Sequence, residues 1–204
     1  MSVQKEATPD HPVHELIAKR WSPYAFADRE VSPADLRSLF EAARWAASSY
    51  NEQPWRYIVA TKAEPAEFGR LVSCLVEGNQ PWAQAAPVLA IGCTSLNFAK
   101  TGKPNSAAHH DLGLASASLT LEATARGLSV HQMIGILPDR ARELYGIPDD
   151  IQPLTALAIG YLGDPSALPE NYRPRDLSPR PRKPLPEFVF GSRWGTPSGF
   201  IAGW

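Results

Sequence analysis

Long apolar runs are missing from this 204-residue chain. No stretch approaches the roughly 18 consecutive apolar residues of a membrane-spanning helix, so no membrane association is expected. Charge of one sign is missing too: 20 Lys and Arg face 21 Asp and Glu, for a formal net charge of −1. A nucleic-acid partner is not expected, because such binders carry a basic excess gathered on one face. Cysteine is scarce. Cys74 and Cys93 have no CxxC spacing and no nearby His cluster, which excludes a disulfide framework and a zinc site. Cys93 ends the apolar run Ala86–Cys93 and reads as a buried thiol. The opening residues, MSVQKEATPDHPVHEL, contain no apolar run of signal-peptide type. A soluble, reducing, cytoplasmic setting is expected. No GxGxxG follows a strand and no P-loop occurs, so a dinucleotide would find no Rossmann site of its own.

Proline, by contrast, is abundant. There are twenty, and seven fall between Pro165 and Pro186. A stretch so dense in proline holds neither a long helix nor a central strand; it is an extended arm on a folded surface or a disordered tail. The 44% hydrophobic content supplies one core, and the length is too short for two comfortable domains. One domain over residues 1–204 is expected, with 164–204 as a proline-rich C-terminal arm packed on a partner subunit.

Periodicity outlines the elements. A first helix is predicted from Asp10 to Arg20, capped by Asp10, with Pro12 in its first turn and Val13, Leu16 and Ile17 as its apolar stripe. Ser32-Pro33-Ala34-Asp35 opens a second, on which Leu36, Leu39, Phe40 and Ala43 share a face. Tyr57–Ala60 reads as a strand, and Phe68, Leu71, Val72 and Leu75 as a helix. Pro87–Cys93 is apolar throughout, as a strand buried on both faces is. A long helix runs from Ser106 to Arg126 and stops at Gly127. Ser129–Met133 is a short strand, Asp139–Tyr145 a short helix, and Thr155–Leu162 the last strand. The irregular order of helices and strands points to an α+β fold.

Three segments carry candidate chemistry. In Arg20-Trp21-Ser22-Pro23-Tyr24-Ala25-Phe26, a guanidinium and a hydroxyl sit just past a helix end. They suit a phosphate, or else Arg20 merely complements the helix dipole. Ser48-Ser49-Tyr50-Asn51-Glu52-Gln53 lies between a helix and a strand. Its hydroxyls and amides carry donors and acceptors that suit the pyrimidine edge of a heteroaromatic ring; a capped turn would need fewer of them. Arg180, Arg182 and Lys183 put dense positive charge on the arm. In an extended strand Arg180 and Arg182 face one way, as a phosphate clamp or as a solvated charge run.

In this order the three segments resemble the nitroreductase-like FMN-dependent flavoproteins. Arg20, Ser22 and Phe26 match the first family pattern. Ser48, Ser49, Asn51, Gln53, Pro54 and Trp55 match the second, and Arg180, Arg182, Lys183, Pro184 and Leu185 the third. The likeness runs from about Val13 to Val189. It implies a central mixed, mostly antiparallel sheet flanked by helices, and FMN at the interface of an intertwined homodimer. It also implies Arg20, Arg180 and Arg182 at the phosphate and ribityl end with Ser22 nearby, and Ser48, Ser49, Asn51 and Gln53 lining the ring, often from the other subunit. A backbone segment ending in glycine, here His131-Gln132-Met133-Ile134-Gly135, is implied to lie against the flavin. Trp21 and Tyr24 belong to the same cradle by position. Two departures stand out: Tyr24 takes a place where members often carry a cation near the flavin N1 and C2 carbonyl, and Ala47 replaces a common proline.

The activity so implied is ping-pong hydride transfer from NADH or NADPH through FMN to a small electrophile such as a nitroaromatic or quinone, with no side chain assigned as a proton donor. The rivals are a flavin-storing or flavin-sensing protein without turnover, and a specialised relative such as a dehalogenase, an azoline oxidase or a flavin-cleaving enzyme. His109-His110-Asp111 is not read as a metal site, since neighbouring helical residues point about 100° apart; a helix-start role facing the polar end of the flavin is the alternative. Gly113, Ala115, Ser116, Ala117 and Ser118 give the long helix a small-sided surface that suits either core packing or a twin helix across a dimer.

Overall fold

The strand Pro87–Cys93 anticipated from its unbroken apolar run proves to be the middle of the molecule. The computed structural model describes residues 5–201. In it Val88–Ser95 (β2) pairs with Trp55–Thr61 (β1) on one side and Ile151–Gly160 (β4) on the other. Ser129–Met133 (β3) closes the order β1-β2-β4-β3, and every pairing is antiparallel. Side chains alternate across β2. Leu89, Ile91 and Cys93 enter one core with Phe68, Leu71 and Trp82, while Val88 and Ala90 enter another with Leu39, Leu112, Ala115 and Leu119. A sheet covered on both faces leaves Val88–Cys93 no polar position, which is why that part of β2 reads as a continuous apolar run, while Thr94 is buried with its hydroxyl donating to Ala108 O.

The helices that supply those cores are Pro33–Arg44 (α2) and Ala108–Ala125 (α5) on one face, with Pro65–Val72 (α3), Gln80–Ala83 (α4) and Pro138–Tyr145 (α6) on the other. The α2 signal is confirmed in detail: the Ser32 hydroxyl caps the helix by accepting the Asp35 amide, and Pro33 fills the first turn. Gly127 follows α5 at φ 72°, a left-handed stop that glycine adopts without strain.

Two elements differ from expectation. The first helix, α1, is only Glu15–Lys19, and His14 rather than Asp10 caps it through Nδ1. Pro12 explains why the helix does not start at Asp10: it biases His11, the residue before it, away from helical geometry. Val13 and Ile17 are exposed rather than buried. The last strand begins four residues early, at Ile151, and contains Pro153. A proline in a central strand is tolerated here because the β2–β4 register shifts between Gly92 and Cys93, opposite Pro153. A last short helix, Arg173–Leu177 (α7), starts the C-terminal segment. Trp204 and residues 1–4 lie outside the described residues. No helix among the described residues is long and apolar enough to cross a membrane.

Candidate functional site

The Arg20–Phe26 segment leaves α1 and is seated on the end of β4. Gly163 donates its amide to Ala25 O, and Phe26 bridges Leu162. A Cβ on Gly163 would lie 2.5 Å from the Phe26 carbonyl carbon, so only glycine lets the two backbones meet. His131 of β3 adds a second tie through Nδ1 to Pro23 O at 2.9 Å. With a carbonyl as partner, Nδ1 carries the proton.

Arg20 is half-buried, and its Nη1 lies 3.4 Å from Ser22 Oγ. Arg182 stands close enough that its charge, added to the larger effect of burial, lowers the Arg20 pKa. Arg180 is lowered by burial first and then by Arg20 and Arg182. Three guanidiniums therefore share one neighbourhood, and none forms an ion pair with a carboxylate among the described residues. Like charges gathered without a counter-charge repel, and an anion with several acceptor oxygens relieves them.

The hydroxyl-and-amide segment forms a strained turn. Tyr50, Asn51 and Gln53 all have positive φ, at 52°, 57° and 52°. Non-glycine residues held this way cost about 1–3 kcal/mol each and persist only where neighbours enforce them. The enforcement is visible. Ser48 Oγ accepts the Gln53 amide, the Gln53 side chain donates to Asn51 O, and Glu52 Oε1 accepts the Ala99 amide. Asp111, buried in the first turn of α5, accepts the Ser49 amide through Oδ2 at 3.1 Å. This leaves the Ser49 hydroxyl and the Asn51 side-chain amide without a hydrogen-bond partner among the described residues.

The third segment is an elbow at the end of β3. Gln132 donates to Ser116 O and Thr120 Oγ1 of α5, while Met133 is buried in the core. Ile134 is 74% exposed. Gly135 O accepts the Val76 amide and Asn79 Nδ2, and a Cβ there would meet Asn79 Nδ2 at 2.5 Å. The N–H groups of Ile134 and Gly135 find no acceptor among the described residues.

Three predicted site residues have partners within the chain. Trp21 is buried, with Lys5 Nζ over its ring. The Tyr24 ring packs among Trp82, His131 and Tyr172, and its hydroxyl accepts Arg175 Nη1 at 3.3 Å. Where the family pattern often has a cation, this chain has a tyrosine with an arginine on it. The Arg180 guanidinium is committed to backbone carbonyls, described below. Within one chain no hydrogen bond, ion pair or ring contact among the described residues joins the Ser48–Gln53 turn to the Arg20–Arg182 group. Sequence reasoning missed Asp111, Asp176 and His131 as organisers. The only signals were His109-His110-Asp111 at a helix start and His131 at the head of the glycine-ended segment. Among the described residues no group of three His, Cys, Asp or Glu could hold a metal.

Burial holds the His131 pKa below the ordinary imidazole value of about 6.5, against smaller raising effects of the Pro23 carbonyl and the Asp176 carboxylate. The unfolded chain then takes up a proton that the folded one resists, so this contribution to stability is lost as pH falls through 6.5 and below. Denaturant melts at pH 7.5 and 5.5 should show a smaller acid loss for His131→Gln than for wild type. Equal losses would mean that His131 does not titrate between the two states.

This geometry belongs to a known family. The Nitroreductase family profile matches residues 17–161, and the chain is a member of that family. An uncharacterized 15.4 kDa protein of Mycolicibacterium smegmatis is 37% identical over 142 residues, covering 67% of this chain and 92% of the relative. A protein of Archaeoglobus fulgidus named "Putative NADH dehydrogenase/NAD(P)H nitroreductase" is 29% identical over 156 residues, covering 74% and 85%. Among solved structures, an oxidoreductase described as containing FMN superimposes with a TM-score of 0.88 at 34% identity, covering 97% of this chain and all of that one.

Proposed function

We propose that this chain is an FMN-dependent oxidoreductase that works as a homodimer, taking hydride from NADH or NADPH and delivering it to a small electrophilic acceptor such as a nitroaromatic or quinone. The observation that carries the reading is the cluster of Arg20, Arg180 and Arg182, none of which is ion-paired to a carboxylate among the described residues. Its charge suits a terminal phosphate dianion, and the donor set fits the rest of FMN. Arg20, Ser22 and Arg182 face the phosphate. The Ser49 hydroxyl and Asn51 amide meet the polar ring edge, and the Ile134 and Gly135 amides offer backbone donors beside it. Bound FMN supplies the hydride acceptor and donor chemistry. The chain's own contribution is to hold the ring, orient the incoming nicotinamide over it and exclude water. The exposed Val13, Ile17, Phe188, Trp194 and Phe200 support a site completed by a second copy.

The functional test is anaerobic stopped-flow mixing of the FMN-loaded protein with NADH and NADPH. Bleaching by at least one, and recovery of the yellow spectrum with a quinone, is expected. Stable yellow protein under both would mark a flavin carrier instead. A second expectation concerns the strained turn. Asp111→Ala removes the acceptor of the Ser49 amide, at a cost of about 1–3 kcal/mol, or about 5- to 150-fold in FMN affinity if the turn loses its shape. Unchanged affinity in a fluorescence titration would free Asp111 of that role.

A further inference from the structure

Arg180 and Asp176 act on one stretch of backbone from opposite electrical sides. Arg180 Nη1 donates to Lys5 O at 2.6 Å and Ala18 O at 3.1 Å, and its Nη2 donates to Arg20 O at 2.7 Å. Asp176, 1% exposed, accepts the Tyr24 amide through Oδ1 at 2.8 Å and the Ala25 amide through Oδ2 at 2.9 Å. Arg20 and Ser22 lie between the two grips. A third tie, Lys5 Nζ to Arg175 O at 3.0 Å, holds the incoming N-terminal segment to the same arm.

From this geometry we infer that Arg180 and Asp176 are positioning residues that shape the phosphate-facing turn, and that the direct phosphate ligands on this side are Arg20 and Arg182. The inference rests on the FMN reading and refines it, since the resemblance alone assigns Arg180 to the phosphate. A guanidinium spanning three carbonyls commits three of its five N–H donors, including both on Nη1, to backbone, and those bonds fix its plane. Its positive charge also offsets the carbonyl dipoles that would otherwise face the anion. Asp176 fixes the other end of the turn, where the two amides would otherwise be free to rotate the segment away from Ser22. Docking of the proline-rich arm is thereby coupled to phosphate recognition, although Arg180 does not touch the phosphate.

Lysine substitution separates the two roles. A ligand that acts by charge is largely rescued by Lys, whereas one ammonium nitrogen cannot reproduce a fork across separated carbonyls. The experiment compares Arg180→Lys, Asp176→Asn and Arg182→Lys with wild type. It measures amide hydrogen exchange at Tyr24 and Ala25 in cofactor-free protein, and titrates each protein with FMN and with riboflavin. Arg180→Lys and Asp176→Asn should speed exchange at both amides by about tenfold or more. They should also lower FMN affinity by about tenfold while leaving riboflavin affinity within about twofold. Arg182→Lys should leave exchange at Tyr24 and Ala25 unchanged. The inference is overturned if Arg180→Lys binds FMN as wild type does, if exchange at Tyr24 and Ala25 is unaffected, or if riboflavin affinity falls as far as FMN affinity. A wild-type protein that binds no FMN would instead defeat the functional reading, and the exchange rates would still decide whether the two grips shape the turn.

Discussion

Replacing Arg20 by glutamine should weaken FMN binding by about 10- to 150-fold without lowering the stability of the cofactor-free protein. The first half follows from the worth of a hydrogen bond to a charged group, about 1.5–3 kcal/mol, at about 1.4 kcal/mol per tenfold in affinity. The second follows from the company Arg20 keeps. Burial and the Arg182 charge both depress its pKa, so the folded protein holds this cation at a cost. Removing it relieves repulsion with Arg182 and Arg180, and the melting temperature of the apoprotein should hold or rise. The stabilisation conferred by saturating FMN should shrink in step with the lost affinity. Calorimetry with and without FMN measures both. A variant that melts earlier as apoprotein and keeps native FMN affinity would show that Arg20 is a structural cation.

Removal of residues 184–204 should convert a dimer into a monomer and weaken FMN binding at least tenfold by linkage. The structure fixes where to cut. Asp176 and Arg180 grip residues 5–25 of their own chain, so truncation before them would damage the turn itself. Beyond Lys183 the chain changes character. Gly191 and Ser198 close a small hairpin with Thr196 and Val189, and Phe188, Trp194 and Phe200 stand 56%, 92% and 73% exposed around it. Three aromatics in water on a 21-residue tail are hard to reconcile with a free monomer. Sedimentation velocity at micromolar concentration reads the assembly. A truncated protein that remains dimeric with native FMN affinity would remove the tail from both roles.

Most of the scaffold was legible in the sequence because its signals are local. The Ser32-Pro33 start of α2, the apolar run of β2 and the glycine after α5 each state their structure within a few residues. The elements misjudged are those where distant residues decide. The local pattern starts the last strand at Thr155, whereas it begins at Ile151, with Pro153 accommodated by the register shift opposite it at Gly92 and Cys93. The Val13–Ile17 stripe looked buried, yet Pro12 before it shortens the helix, and Val13 and Ile17 are exposed. The candidate site shows the same division. Arg20, Ser22, Ser49 and Asn51 were readable as motif residues. Asp111, Asp176 and His131 were not, because each acts on backbone 62, 151 and 108 residues away in sequence. Arg180 was read for its charge, while its geometry gives it to carbonyls.

The most direct test of the account is an equilibrium titration of cofactor-free protein with FMN and with riboflavin, which differ only by the phosphate. If Arg20 and Arg182 meet a phosphate dianion, FMN binds at least about 100-fold more tightly, from two charge-assisted contacts of about 1.5–3 kcal/mol each. The preference should decline as salt is raised. Equal affinity for the two ligands at low salt would contradict the assignment of the cationic cluster to the cofactor phosphate.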